Sequence, residues 1–312
     1  MKTRVVMPPS GIEEAVRLLA SGELAALPTE TVYGLGASAL DPLACARIFE
    51  AKDRPLSDPL IVHLPSSDWL GKLAQPNELA LRLAEKFWPG PLTLVLPRHA
   101  VIPDIVTAGQ ETVALRMSAH PVFQEVAETF GQPIAAPSAN RFGRISPTSA
   151  EHVLGELDGR IPLILDGGPC AHGIESTIVL IRENGMEILR HGPVTAEELL
   201  KCGRVIFGSN DVSAPGMMKS HYAPRTPLVI TPQRTFASPK IGLLAWTGTG
   251  DGYGAVEQLS PTQDLREAAT NLYGAMRRLD EAGLDLIVAE PVPETGLGVA
   301  IMERLRKAAA RD

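Results

Sequence analysis

Residues 208–227, GSNDVSAPGMMKSHYAPRTP, break an otherwise periodic chain of 312 residues. The segment has no apolar period and carries three prolines, so it reads as a long linker or an ordered functional loop. A chain interrupted in this way is expected to fold as two units. The first spans 1–207; the second, 228–312, has about 85 residues, enough for a small domain. The AVILMFWYC set makes up 45% of the chain and charged residues 21%, so both units have apolar material for a core.

Both units mix helical and strand periods. In the first, GIEEAVRLLAS (11–21) has helical spacing and LAALP (24–28) reads as a short buried strand. Asp41 as N-cap and Pro42 at the first helical position open a helix that stops near Lys52, before Pro55. Strands are expected at 60–64, 92–96, 112–117, 133–136, 162–166, 176–181 and 186–190. Helices are expected at 77–87, 120–130, 149–157 and 195–202, the last opened by Thr195 and Glu198 as a capping box. The second unit reads strand 241–246, strand 256–259, helix 262–282, strand 285–290 and helix 297–310. Strands and helices interleave without strict βαβ alternation, and the fold class is α/β.

Charge and cysteine usage exclude several classes. Lys and Arg number 29 against 36 Asp and Glu, a net charge of −7, and aromatics are 4%. A general polyanion binder would be more basic and a base-stacking platform richer in aromatics, so any phosphate or RNA contact must be local. Cys45, Cys170 and Cys202 are widely spaced with no CxxC, which excludes a disulfide scaffold and a zinc ribbon and fits a reducing compartment. No signal peptide is visible and no 18-residue apolar run occurs, so a soluble cytoplasmic protein is expected, without a membrane partner.

The densest polar stretch joins the first buried strand to the strand at 60. It runs Pro28-Thr29-Glu30-Thr31-Val32-Tyr33-Gly34-Leu35-Gly36, then, past a helix, Lys52-Asp53-Arg54-Pro55, Asp58-Pro59-Leu60 and His63. Loops at strand ends are where α/β proteins place ligand sites. Lys52 and Arg54 lie just past a helix C-terminus, where dipole complementation, worth under ~1 kcal/mol, would alone account for them. The other reading is that Pro55 fixes the turn and both cations project from it to clamp a triphosphate. Ser138 and Asn140, in Pro137-Ser138-Ala139-Asn140 after the apolar run PIAA, suit nucleotide or phosphate contacts and equally an ordinary Asx or Ser turn. In Glu175-Ser176-Thr177-Ile178-Val179 hydroxyls open a strand, where a structural role is the first reading. Arg116 lies mid-strand and must reach an edge, a partner or an anionic ligand; Arg190, ending another strand, has the same options. No G-x-x-x-x-G-K-[ST], G-x-S-x-G or H-x-x-x-H pattern occurs, which removes a P-loop, a nucleophile elbow and a helical zinc site.

Taken together, LPTETVYGLG (27–36), KDRP with the following SDPL (52–60), His63, FWPGPLTLVL (87–96), PSAN (137–140), ESTIV (175–179), LRHGP (189–193) and APGMMKSHYAP (214–224) closely resemble the Sua5/YrdC/YciO family, in its two-domain Sua5 type. The motifs keep the family order and cover essentially the whole chain, most weakly in the C-terminal unit. The resemblance implies a YrdC-like domain with a mixed twisted sheet and an open concave site, followed by a small Rossmann-like α/β C-terminal domain. It further implies an L-threonylcarbamoyladenylate synthase, a nucleotidyltransferase. L-threonine and bicarbonate would give an N-carboxy species that attacks the α-phosphate of ATP and releases pyrophosphate. The product would serve the threonylcarbamoyladenosine modification of tRNA next to the anticodon, by hand-off to a tRNA threonylcarbamoyl transferase complex. Direct tRNA binding by this chain is left open.

Site roles follow by motif position. Lys52 and Arg54 would be the catalytic phosphate clamp, with Mg²⁺ on the ATP phosphates and no protein metal ligand assigned. Asp58, Thr112, Ser138, Asn140, Ser146 and Arg190 would complete the ATP site, and Tyr222 would close over it as a lid. Thr31, His63, Arg116, Ala136 and Ser176 would hold threonine, Arg116 by pairing with its carboxylate. Ser220 stands where the family often has a basic residue before His-Tyr, so no basic contact is expected there. Two other readings are kept. One is a related carbamoyl-adenylate-forming enzyme, as in hydrogenase maturation proteins, whose acylphosphatase and zinc-finger modules are missing here. The other is a non-catalytic RNA-binding module, against which the net charge and the aromatic shortage argue.

Overall fold

The computed structural model describes residues 2–206, 221–232 and 238–310. Residues 208–220 of the expected connecting segment therefore lie outside the described residues. The chain begins β1 (Arg4–Val6), α1 (Ser10–Ala20), β2 (Ala25–Leu27), β3 (Gly34–Ser38), α2 (Pro42–Lys52) and β4 (Ile61–His63). It continues α3 (Leu70–Leu73), α4 (Glu78–Phe87), β5 (Leu92–Pro97), α5 (Asp104–Thr107), β6 (Thr112–Arg116), α6 (Pro121–Phe130) and β7 (Ile134–Ala135). Then come α7 (Ala150–Leu157), β8 (Leu163–Leu165), β9 (Thr177–Arg182), β10 (Gly185–Arg190), α8 (Ala196–Leu200) and β11 (Val205–Ile206). The C-terminal part holds β12 (Leu228–Ile230), β13 (Ile241–Ala245), β14 (Ala255–Gln258), α9 (Leu265–Glu281), β15 (Leu286–Ala289) and α10 (Leu297–Ala309).

Among the described residues the first eleven strands form one mixed sheet, in the order β1-β8-β2-β3-β7-β4-β6-β5-β9-β10-β11. The last four form a parallel sheet, β12-β15-β13-β14. The α/β class expected from the interleaved periods holds. Local chemistry explains the element ends. The Asp41 carboxylate accepts from the backbone N–H of Leu43 and Ala44 and starts α2, while Asp53, at φ 54°, turns the chain out of it. Thr195 and Glu198 make the expected capping box of α8.

The segment after β2 departs from expectation. Gly34-Leu35-Gly36 is strand β3, between β2 and β7, rather than loop, although Gly34 still borders the cavity described below. A Cβ at Gly34 would lie 3.1 Å from the Ala136 Cβ, and one at Gly36 would lie 3.2 Å from Ala25 O and from side chains of Leu27 and Ile134. These glycines serve close strand packing. The strands β1, β11 and β12, two or three residues each, were too short to show a period.

The two faces of the large sheet are covered differently. On one face Val62, Leu94, Leu115 and Val179 join the main core under α2, α4 and α7. On the other, α1 and α6 cover β2, β7 and β8 through Ile12, Leu19, Phe123 and Val126. That cover ends where the His63 ring meets Phe123, 4.7 Å between centroids. Beyond it lies an apolar strip of Ile61, Val95, Ala114, Ile178 and Leu180.

Candidate active site

Side chains alternate across a strand, so the next residue facing the same way is two positions on. On β4 the step from Ile61 reaches His63, and on β6 the step from Ala114 reaches Arg116; the two strands are parallel with His63 opposite Arg116. On β5 the step from Val95 reaches Thr93, and on β9 the step from Ile178 reaches Ser176; the two hydroxyls meet at 2.8 Å. The polar row at the end of the apolar strip is thus fixed by register. The loop after β2 adds Thr29 and Thr31, the run after β7 adds Ala136 and Ser138, β10 ends in Arg190, and Arg54 comes from the turn after α2. Apart from Thr93, which stands behind Ser176, these groups border one cavity with Glu175, His221 and Tyr222.

The electrostatics are built from buried pairs. Arg116 donates to Thr31 Oγ1 at 3.0 Å and to Glu30 Oε1 at 2.6 Å, and Ser118 donates to the other Glu30 oxygen. Burial pushes the Glu30 carboxyl up, but the Arg116 guanidinium and the Ser118 hydroxyl outweigh it and hold it down at about 2. Arg54 donates to the carbonyls of Asp58 (3.1 Å) and Pro59 (2.6 Å) and pairs with the Asp58 carboxylate at 3.0 Å. Arg190 donates to Ser176 O and Ser176 Oγ, both at 3.0 Å. Lys52 is buried, and its Nζ donates to the carbonyls of Ser138 and Asn140. Burial and the like charge of Arg54 push its ammonium well below the ordinary value.

The expected site residues separate accordingly. The structure brings Thr31, Arg54, His63, Arg116, Ala136, Ser138, Ser176, Arg190 and Tyr222 onto one cavity. Lys52 stands behind that wall and holds the Pro137–Asn140 segment in place. Asp58 seats Arg54 rather than facing the cavity. Asn140 Nδ2 is used on the carbonyls of Arg141 and Arg144, at 2.8 and 2.9 Å. Ser146, fully buried, neighbours the Glu175 carboxylate. Thr112 is not brought in. It opens β6 opposite Pro97, four residues from Arg116, which is about 13 Å along an extended strand.

Thr29, Glu175 and His221 on the cavity, and Glu30, Ser118, Tyr273 and Arg304 behind it, had no site role in the motif reading. Glu30 was visible only as one letter of a conspicuous loop. Arg304 had a signal of its own, since it sits on the stripe Ala300, Ile301, Leu305, Ala308, and an arginine on an apolar stripe needs a buried partner.

Several buried polar atoms around the cavity find no partner among the described residues: His63 Nδ1, Asn140 Oδ1, His221 Nδ1 and the Tyr222 hydroxyl. Buried groups of this kind are normally bonded, so the cluster fits a site that receives a polar ligand. Among the described residues no nucleophile–base couple accompanies it; three guanidinium groups, hydroxyls and two neutral imidazoles suit positioning and charge neutralisation.

The imidazoles make a testable pH signature. Burial, then Arg116, holds His63 down at about 3, and burial does the same for His221. Free imidazole titrates near 6.5, so below that pH the unfolded chain takes up protons that the fold refuses. Stability is therefore undiminished by these groups above about pH 7.5 and falls as the pH drops from 6.5 towards 3. Between pH 7.5 and 5 each is expected to remove about 2 kcal/mol. Urea unfolding at the two pH values measures the loss, which should shrink in His63→Asn. Equal losses in wild type and variant would show that His63 is protonated in the fold.

Known proteins share this sequence and fold. The family model described as "Telomere recombination" (Sua5, YciO, YrdC) matches residues 17–192, and a model described as "Threonylcarbamoyl-AMP synthase, C-terminal domain" matches 194–310. Threonylcarbamoyl-AMP synthase of Pyrococcus abyssi is 42% identical over 322 residues, covering 95% of this chain and 93% of that one. The enzyme of the same name from Bacillus subtilis is 42% identical over 320 residues, covering 96% and 92%. The crystal structure of P. abyssi Sua5 complexed with L-threonine superposes with a TM-score of 0.91 at 41% identity, covering 99% of this chain and 98% of that one.

Proposed function

The chain belongs to the Sua5/YciO/YrdC family, and from that premise we propose that it is an L-threonylcarbamoyladenylate synthase, converting L-threonine, bicarbonate and ATP to threonylcarbamoyl-AMP and pyrophosphate. The observation that carries the reading is the cavity itself: Arg54, Arg116 and Arg190 converge on one pocket floored by hydroxyls, in a chain whose near-full-length relative was solved with L-threonine. The division into a catalytic unit at 1–207, a connecting segment at 208–227 and a second unit at 228–312 is part of the same proposal.

In this reading Arg116 holds the threonine carboxylate, with Thr31, Ser176 and the Ala136 backbone around it. Neutral His63 supplies a ring nitrogen to the substrate without adding charge. The threonine nitrogen adds to bicarbonate with loss of water, giving the N-carboxy species. Its carboxylate attacks the α-phosphorus of ATP, the bond to the β-phosphate oxygen breaks, and pyrophosphate leaves. Arg54 and Arg190 take up the phosphate charge, and Lys52 acts by fixing Ser138 and Asn140. Tyr222, buried against the cavity, shields the mixed anhydride from water. Among the described residues no group of three or more His, Cys, Asp or Glu could hold a metal, and Glu175, the carboxylate on the cavity wall, is already bonded by Arg304 and Tyr273. The ion is therefore assigned to the ATP phosphates, with no protein ligand named for it.

Product hand-off to a tRNA-modifying transferase is the expected fate of so labile an anhydride. No helix of the described residues is long and apolar enough to cross a membrane, and a cytoplasmic setting fits the reaction. The test is mass spectrometry of the protein with ATP, Mg²⁺, bicarbonate and L-threonine, alongside a pyrophosphate assay. A threonylcarbamoyl-AMP peak that needs both threonine and bicarbonate is the expected result. Pyrophosphate without that peak would assign a different acceptor, and the absence of both signals would overturn the reading.

A further inference from the structure

The wall of the cavity is completed by the C-terminal part of the chain. Glu175, just before β9, is buried, and both its carboxylate oxygens accept from the Tyr273 hydroxyl of α9, at 3.0 and 2.9 Å. Arg304 of α10, fully buried, donates through Nε to the same carboxylate at 3.0 Å. Its other nitrogens reach the carbonyls of His191 and Glu175, and its guanidinium lies 5.6 Å from the Tyr222 ring centroid. Glu303, one residue earlier, accepts from the His191 N–H at 3.1 Å. Thus α10 grips two chain ends at once: the start of β9, which presents Ser176, and the end of β10, which presents Arg190.

We infer that Arg304 and Tyr273 are positioning residues for the cavity, acting through Glu175 to seat Ser176 and Arg190 and to cancel a carboxylate that would otherwise face anionic substrates. This rests on the reaction proposed above for its kinetic readout. The reasoning is geometric and electrostatic. Ser176 is the chain neighbour of Glu175 and is itself bonded by Arg190, so a shift at Glu175 moves both. Glu175 borders the same cavity as Arg54 and Arg190; left without Arg304, its charge would oppose theirs where phosphates and a carboxylate must bind. Burial pushes the Glu175 carboxyl up, but Arg304, Arg190 and the Ser146 hydroxyl outweigh it and hold it below the ordinary value.

The experiment compares wild type, Arg304→Met, Tyr273→Phe, Glu175→Gln and the double variant Glu175→Gln/Arg304→Met in the full chain. Arg304→Met is expected to lower kcat/KM by about 10²-fold, the usual effect of a displaced binding group. It should also weaken L-threonine binding by calorimetry, and the double variant should regain at least about 10-fold of that binding by removing the uncompensated charge. Hydrogen exchange supplies a readout that needs no reaction: peptides covering 174–178 and 189–193 should exchange faster in Arg304→Met while those of β2 and β8 do not. Unchanged exchange in those peptides overturns the inference. So does binding in the double variant as weak as in Arg304→Met. Faster exchange in a protein whose wild type makes no threonylcarbamoyl-AMP would overturn the reaction and leave the positioning role standing.

Discussion

Replacing Arg54 with alanine is expected to lower turnover by about 10²-fold or more, the usual cost of losing a preorganised charge contact. Arg54 is buried on the cavity wall and is held there by two carbonyls and by Asp58, so no solvent reorganisation is needed when phosphate charge arrives. The same pairing complicates the variant, because removing Arg54 strands a buried carboxylate, at about 3–5 kcal/mol. The double variant Arg54→Ala/Asp58→Asn separates the two effects. It should recover most of the lost stability in urea unfolding and none of the lost turnover. Pyrophosphate release at the wild-type rate in Arg54→Ala would remove Arg54 from the phosphate site. Lys52→Ala should also slow turnover, but by a different route, since Lys52 bonds the carbonyls of Ser138 and Asn140 rather than facing the cavity.

A single methyl group at Gly173 is expected to cost about 2–4 kcal/mol and most of the activity. Gly173 has φ +70°, where alanine is strained, and its added Cβ would lie 2.4 Å from Thr270 Cα and 2.5 Å from Thr270 O on α9. Those are backbone atoms of the helix that carries Tyr273, so relief requires α9 to move away from Glu175. Gly131, also at φ +70°, is the control: its Cβ would approach nothing nearer than Glu128 O at 3.9 Å, and alanine there should cost about 1 kcal/mol with turnover intact. Equal losses in the two variants, by urea unfolding and pyrophosphate release, would show that backbone strain alone is at work and that the approach of α9 is immaterial.

The coupling expressed by Gly173 runs through a shared core. Val32, Ile145 and Ile174 from the large-sheet part pack in one cluster with Tyr222 and with Leu272, Met276 and Ile301 of the C-terminal helices. Removing the C-terminal part would bare that cluster and leave Glu175 without Tyr273 and Arg304.

Local chemistry carried much of this protein. The Asp41–Pro42 helix start, the Thr195 capping box and the long strands β5, β6, β9 and β10 followed from periods and caps that need no distant partner. The motifs also marked segments that come to border the cavity, because short polar side chains after apolar strands are set by the chain itself. What each side chain does there depended on register and packing. The pairing of His63 with Arg116 across β4 and β6 put both on the cavity, while the same strand carried Thr112 away from it. The glycines of β3 proved to serve strand packing, a choice made by Ala25, Leu27 and Ala136 from elsewhere in the chain. Glu30 became the partner of Arg116, and Lys52 met the Ser138 carbonyl, only when residues more than 80 positions apart came together. Local propensity acts over a few residues, whereas a buried charge must find its counter-charge wherever the fold delivers it; for Glu175 that was Arg304, 129 positions along the chain.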